Sequence, residues 1–176
     1  MMKIGVLGAG TMGNGIAQVM ASAGHEVTLC DIDNEILRTA ASTIDANLWR
    51  LYKKENKEFS EIGRVLSRIT FTTDKTKLAG LDIVIEAILE NRDIKKRVFA
   101  ELDAICDPKT ILASNTSGLS ITEIGSATGR PDRVIGMHFF NPVPVMKLVE
   151  IIKGSETSDE TYDTVKKLTK ISQYFF

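Results

Sequence analysis

The sequence predicts an α/β fold: a doubly wound, mostly parallel sheet with helices on both faces and an antiparallel strand pair near the C-terminal end. Three features predict it. Short apolar runs alternate with segments of helical periodicity along the whole 176 residues. The first run passes through a glycine-rich turn straight into a helix. Near the C-terminus, two runs flank a turn containing Pro142 and Pro144, across which antiparallel pairing is expected.

Taken in order, residues 3–7 (KIGVL) form an apolar run of the kind buried strands show. From Thr11 to about Ala23, Met12, Ile16, Val19, Met20 and Ala23 recur at helical spacing. EVTLCD, 26–31, is the second strand. A long helix is expected from about Asn34 to Lys57, with Ile36, Leu37, Ala40, Ile44, Leu48 and Leu51 on one stripe. A short helix follows over 60–67. Strand-like runs return at 68–72, 82–87, 110–114, 133–138 and 146–152. A helix at about 91–105 lies between the second and third of these, with Ile94, Val98, Leu102 and Ile105 facing inward. The last helix is expected to start near Thr157, where Thr157 and Glu160 have capping-box spacing, and to bury Tyr162, Val165, Leu168 and Ser172. The chain ends on ISQYFF, with no helix-ending glycine and no polar tail, so residues 1–176 are expected to be one domain cut from something longer.

Composition narrows the function classes. Hydrophobic residues make up 43% of the chain and charged residues 26%, which excludes a disordered or fibrous polymer. A formal net charge of −1 gives no general attraction to nucleic acid or to an anionic membrane, and no apolar run reaches bilayer length. Cys30 and Cys106 form neither a disulfide framework nor a zinc pattern, so no metal site is expected. Two buried thiols in a reducing compartment suit the cytoplasm, or an organelle matrix after removal of a leader.

Gly8-Ala9-Gly10-Thr11-Met12-Gly13 is a GxGxxG motif placed between a strand and a helix. The first glycine permits the tight turn, the second lets a pyrophosphate approach the backbone, and the third allows the helix to pack closely on the strand. The amides and positive end of the helix then face the phosphates. Asp31 ends the second strand, where a carboxylate can accept both hydroxyls of an adenosine ribose and repel a 2′-phosphate. Arginine is absent from residues 32 to 37, so NAD is favoured over NADP. Gly8, Gly10, Thr11, Met12, Gly13 and Asp31 are the expected cofactor contacts of a Rossmann-type domain.

In an open parallel sheet, ligands sit beyond the carboxyl ends of the strands. Glu90, Asn91, Asn115, Thr116, Ser117 and His138 fall at or just past such ends. Histidine side chains titrate near neutral pH and can take a proton from an alcohol and return it. Glu150 lies twelve residues beyond His138, and antiparallel pairing would let the carboxylate accept an imidazole N–H and fix its tautomer. Each residue alone also has an ordinary reading: a packed histidine, a strand-end surface acid, a loop serine. Composition and spacing do not by themselves identify an alcohol oxidation.

The strings GVLGAGTMGNGIAQ, IEAILEN, ASNTSGLSIT and above all GMHFFNPVPVMKLVEII resemble the 3-hydroxyacyl-CoA dehydrogenases, and among them the 3-hydroxybutyryl-CoA dehydrogenases of butyrate metabolism. The likeness covers residues 3 to about 153 well and the last helix loosely. It implies that His138 is the catalytic base and Glu150 its partner, and that Ser117 holds the 3-hydroxyl or 3-keto oxygen. It further implies that Asn141 and Asn115 line the site, the latter near the nicotinamide ribose, and that Glu90 and Lys95 contact the cofactor. The implied reaction is reversible hydride transfer between NAD(H) and an (S)-3-hydroxyacyl-CoA or 3-oxoacyl-CoA, with acyl-CoA as the partner molecule. Arg50, Lys53, Lys54 and Lys57 have the spacing of one helical face, solvated on the plain reading, and the resemblance makes Lys54 a contact for coenzyme A.

The family normally continues into a helical domain that supplies a further asparagine, closes over the acyl-CoA and makes the homodimer interface. The chain is therefore expected to be the catalytic half of such an enzyme, weakly active or inactive alone, or else an NAD-binding module without turnover of its own. A related hydroxyacid dehydrogenase of the gulonate type is the remaining alternative. The GTMGNGIAQ and HFFNPVPVMKLVE strings favour acyl-CoA over it.

Overall fold

Runs such as IVIE and ILAS are apolar without alternation because both faces of their strands are covered. The structure, a computed structural model, describes residues 1–171, of Ile171 the backbone only. Its elements are β1 (Lys3–Leu7), α1 (Thr11–Ser22), β2 (Glu26–Cys30), α2 (Asn34–Lys54), α3 (Ser60–Leu66), β3 (Ile69–Thr72) and β4 (Ile83–Glu86), then α4 (Arg92–Ile105), β5 (Ile111–Ser114), α5 (Ile121–Gly125), β6 (Val134–Phe139), β7 (Val149–Lys153) and α6 (Asp159–Ile171). The seven strands lie in the order β3-β2-β1-β4-β5-β6-β7, all neighbours parallel except β6 and β7. The expected fold is the one observed. Strand order reverses between β1 and β4, and that switch point opens the crevice at the carboxyl end of the sheet.

Two apolar layers cover the sheet. On one face Ile4, Val6, Leu29 and Ile85 meet Ile16 and Met20 of α1, Ile44 and Leu48 of α2, and Val165 and Leu168 of α6. On the other, Leu7, Val84 and Leu112 meet Phe99 and Leu102 of α4 and Ile121 and Ile124 of α5. Cys30 and Cys106 lie in this second layer as free thiols, and burial pushes each up to about 11, so neither is a ready nucleophile.

The differences from expectation have local causes. Helix α2 stops at Lys54, not Lys57: Asn56 takes a left-handed conformation (φ 50°) and the Lys57 amide bonds back to the Tyr52 carbonyl, which closes the helix end. Lys57 thus leaves the basic face and pairs with Glu55. In α4 the inward stripe is Lys95, Phe99 and Leu102, while Ile94 and Val98 are half-buried at the edge of the crevice. Ile36 likewise turns to the crevice. Strand β7 begins at Val149 because the Val145 and Met146 amides both bond the Pro142 carbonyl, prolonging the bend. The Thr157 hydroxyl does not cap α6: it donates to the Val134 carbonyl, and Ser158 accepts the Thr161 amide in its place. The apolar periodicity does not predict helix α5, although Ser120 and Glu123 have capping-box spacing and Ser120 does accept the Glu123 amide. Ser172 and the aromatic terminus lie outside the described residues.

His25 is buried, and its Nδ1 accepts the Met2 amide at 3.1 Å, which requires the neutral ring. Burial first, then the N-terminal ammonium and Arg68, hold its pKa below the usual 6.5. A histidine with a lowered folded pKa contributes stability that is present above 6.5 and lost as pH falls through the folded value. Urea midpoints are therefore expected to fall between pH 7 and pH 5, and to fall less in His25→Asn, whose side-chain oxygen accepts the same amide without titrating. Equal falls in the two proteins would remove His25 from the account.

Candidate active site

The glycine loop connects β1 to α1 at the switch point. Gly8 has φ of +101°, and a Cβ there would lie 2.6 Å from the Ala87 carbonyl oxygen. At Gly13 a Cβ would lie 1.7 Å from the Gly8 carbonyl oxygen, so α1 presses directly on the turn. At Gly10 a Cβ would meet nothing within 4 Å. Gly10 is also the N-cap of α1; no side chain caps the helix and its first turn carries no acid. Uncapped amides facing an open crevice suit an anion.

Asp31 follows β2. Its Oδ2 accepts the Ala9 amide at 2.7 Å and its Oδ1 the Asp33 amide at 3.3 Å, so the carboxylate pins the glycine loop from below. An ionised carboxylate has about four acceptor sites, which leaves capacity for ribose hydroxyls. A cavity of about 480 Å³ opens beside it, walled by Gly8, Gly10, Ile36, Ile88, Ile94 and Val98. Its apolar wall fits a flat base. Among the described residues lining it the basic one is Lys75, and Glu101 holds its Nζ at 2.6 Å. The glycine cradle, the carboxylate and the apolar wall fit a dinucleotide.

A second cavity of about 310 Å³ lies across the loop, lined by Met12, Glu90, Asn115, Ser117, His138 and Asn141. His138 and Glu150 are register partners of the antiparallel β6–β7 pair, so their side chains leave the same face. Nδ1 of His138 lies 2.8 Å from Oε2 of Glu150, and Phe140 packs on the ring at 4.6 Å. With Nδ1–H given to the carboxylate, Nε2 is left as an acceptor. The intervening bend, with a cis Asn141–Pro142 bond, docks on α1 where a Cβ at Gly15 would lie 2.8 Å from Cβ of Val143. That contact keeps Asn141 beside the glycine loop.

Asn115 accepts the Phe139 amide on its Oδ1 at 2.9 Å and so ties the end of β5 to β6, leaving its NH₂ group as donor. Glu90 accepts the Thr116 hydroxyl and, at 3.1 Å, the Ser117 amide. Burial opposes its charge, but the Thr116 hydroxyl, the Lys95 ammonium and the Ser117 amide together hold its pKa below the usual range. Lys95 is only 1% exposed and ion-paired to Glu86 at 2.6 Å and Glu90 at 3.3 Å, so it offers the crevice charge from behind Glu90 rather than an exposed donor. Asn91, expected at this end of the sheet, is instead the N-cap of α4 and accepts the Asp93 and Ile94 amides. Lys54 is exposed at the end of α2, away from the His138 cavity lining. Spacing alone does not single out Glu86 and Ser114, which bond to each other beneath the Asn115–Ser117 loop; the sequence signal for them is a carboxylate closing an otherwise apolar strand nine residues before a lysine.

The switch-point crevice, glycine loop and β2 carboxylate define an NAD-binding dehydrogenase-type domain. Residues 3–173 match the family model described as 3-hydroxyacyl-CoA dehydrogenase, NAD binding domain, and the chain belongs to that family. It is 50% identical over 169 residues to a 3-hydroxybutyryl-CoA dehydrogenase of Clostridioides difficile, covering 96% of this chain and 60% of that one. It is 44% identical to the human mitochondrial hydroxyacyl-coenzyme A dehydrogenase, over 94% and 54% of the two chains. The crystal structure of an (S)-3-hydroxybutyryl-CoA dehydrogenase from Ralstonia eutropha superposes with a TM-score of 0.96 at 45% identity, covering 99% of this chain and 62% of that one. The chain thus spans about three fifths of the length of the Clostridioides difficile relative. The cofactor is NAD, as expected. Among the described residues no helix is long and apolar enough to cross a membrane.

Proposed function

We propose that this chain carries the chemistry of a reversible NAD-linked dehydrogenase acting on (S)-3-hydroxyacyl-CoA and 3-oxoacyl-CoA thioesters, with short acyl chains such as 3-hydroxybutyryl. The observation that carries the reading is the 2.8 Å contact of His138 with Glu150 at the mouth of a cavity that also holds Ser117, Asn115 and Asn141. In oxidation, Nε2 of His138 takes the 3-hydroxyl proton as carbon 3 gives up its hydride, and Glu150 stabilises the imidazolium. Bound NAD supplies the hydride acceptor, and NADH the donor in the reverse direction. Ser117 Oγ, only loosely held by Glu90 at 3.5 Å, orients the reacting oxygen, and the Asn115 and Asn141 amides line its approach. Gly8, Gly10, Thr11, Met12 and Gly13 hold the cofactor with Asp31, backed by Glu90 and Lys95. Lys54 meets coenzyme A phosphates. In support of positive charge there, Glu55, held down first by its hydrogen bond from Lys57, also feels Lys147 and Lys54.

A cytoplasmic location and a homodimer closed by a further helical domain belong to the same proposal. They are supported by the free buried thiols and by the exposure of Val145, Met146 and Leu148 beside the bend. Oxidation of NADH on addition of acetoacetyl-CoA tests the activity. No rate, with tight NADH binding, would show a dinucleotide-binding unit that does not turn over alone. Asp31→Ala is expected to weaken NADH binding about tenfold or more, since a charged hydrogen-bonding partner is lost. Unchanged affinity in a fluorescence titration would dismiss the ribose contact.

A further inference from the structure

Beneath the Asn115–Ser117 loop lies a polar cluster whose innermost member, Glu86, has no task in the proposed chemistry. Glu86, the last residue of β4, is fully buried between apolar neighbours. Its Oε1 accepts from Nζ of Lys95 at 2.6 Å and from the Ile88 amide at 2.7 Å, and its Oε2 from the Ser114 hydroxyl at 2.7 Å. Two chains of hydrogen bonds run from this carboxylate to one place. In the first, Ser114 Oγ accepts the Thr116 amide at 3.3 Å. In the second, Lys95 Nζ lies 3.3 Å from Oε2 of Glu90, whose Oε1 accepts the Thr116 hydroxyl and the Ser117 amide. Both end at Thr116 and Ser117, and Ser117 shares a cavity with His138.

We infer that Glu86 is a positioning residue: from inside the sheet it sets the Thr116–Ser117 loop opposite His138, through Ser114 on one side and through Lys95 and Glu90 on the other. The inference rests on the reading of Ser117 given above. Stability alone does not call for the group, because well-packed apolar side chains replace a buried ion pair with little or no loss. What a charged, fully partnered network adds is direction, since each member fixes the next within hydrogen-bond geometry. Lys95 shares its charge between a carboxylate that cannot move and one at the rim, so the rim carboxylate is held as well. Glu86 itself is sealed from the cavity and acts only through these neighbours.

In the intact protein, Glu86→Gln is expected to lower kcat for acetoacetyl-CoA reduction about tenfold or more, the effect of losing a hydrogen bond to a charged group. Ser117→Ala is then expected to add less than about twofold to that loss, whereas Asp31→Ala, at the other end of the crevice, keeps its full effect on NADH affinity in the double variant. Amide exchange at Thr116 and Ser117 is expected to quicken about tenfold in Glu86→Gln, and at Thr116 alone in Ser114→Ala, with Gly10 and Thr11 unchanged. Ser114→Ala cuts one chain of bonds and leaves the ion pair, so it decides the matter should Glu86→Gln fail to fold. Fully additive losses with Ser117→Ala, or unaltered exchange at both amides, overturn the role. A wild type that binds NADH but reduces no acetoacetyl-CoA shows a unit that does not turn over alone, and the exchange measurements still decide what Glu86 places.

Discussion

His138→Gln is expected to lower kcat for acetoacetyl-CoA reduction by about 10²- to 10⁴-fold, the usual worth of a positioned acid or base, while the Kd for NADH stays within about twofold. Glutamine has similar reach and can still meet Glu150, so the β6–β7 pair keeps its register. It cannot carry a proton between Nε2 and a substrate oxygen. The dinucleotide cradle is built from other elements, the β1–α1 turn and the end of β2, so its affinity is independent of the imidazole. Glu150→Gln is expected to cost less than His138→Gln, because the amide oxygen can still accept Nδ1–H but no longer stabilises the imidazolium. Stopped-assay rates together with NADH fluorescence titrations check both. A large loss of NADH affinity in His138→Gln, or retention of turnover, would refute the assigned proton transfer.

The parts of the site legible in the sequence are those set by chain geometry. A glycine that must adopt positive φ, a helix that must start on backbone amides, and two residues opposed across an antiparallel bend follow from spacing and strand pairing. Gly8, Gly10, Asp31, His138 and Glu150 all lie where such rules put them. What was not legible depends on side chains from distant segments meeting in three dimensions. Helical periodicity placed Ile94 and Val98 in the core, but one face of α4 borders the crevice, so the stripe rotates and Lys95 is drawn inside by Glu86. Thr157 has the spacing of a cap, yet the buried Val134 carbonyl claims its hydroxyl. Lys57 has the spacing of a helical face, yet Asn56 ends the helix before it. In each case a long-range partner or a left-handed residue outweighs a local preference worth about 1 kcal/mol or less.

Gly10 and Gly13, three residues apart in one loop, are expected to respond oppositely to the same methyl group. By helix propensity alone, Gly13→Ala inside α1 should stabilise by about 1 kcal/mol. The site reverses that sign. The new Cβ would stand 1.7 Å from the Gly8 carbonyl oxygen, a backbone atom of a turn that is itself pressed against Ala87, so neither side can yield cheaply. Overpacking of this kind typically costs about 1–3 kcal/mol, so Gly13→Ala is expected to lower Tm by several degrees and to weaken NADH binding as α1 is pushed off the turn. Gly10 has φ of −65°, which alanine adopts freely, and its Cβ would enter open space. Gly10→Ala is therefore expected to leave Tm unchanged or raised and to lower NADH affinity by about tenfold or more, because the methyl group occupies the space a pyrophosphate needs. Thermal melts and NADH titrations of the two variants separate close packing from close approach. Unaltered NADH affinity in Gly10→Ala would mean that the dinucleotide does not cross the loop at this residue, and the cofactor would have to be placed elsewhere in the crevice.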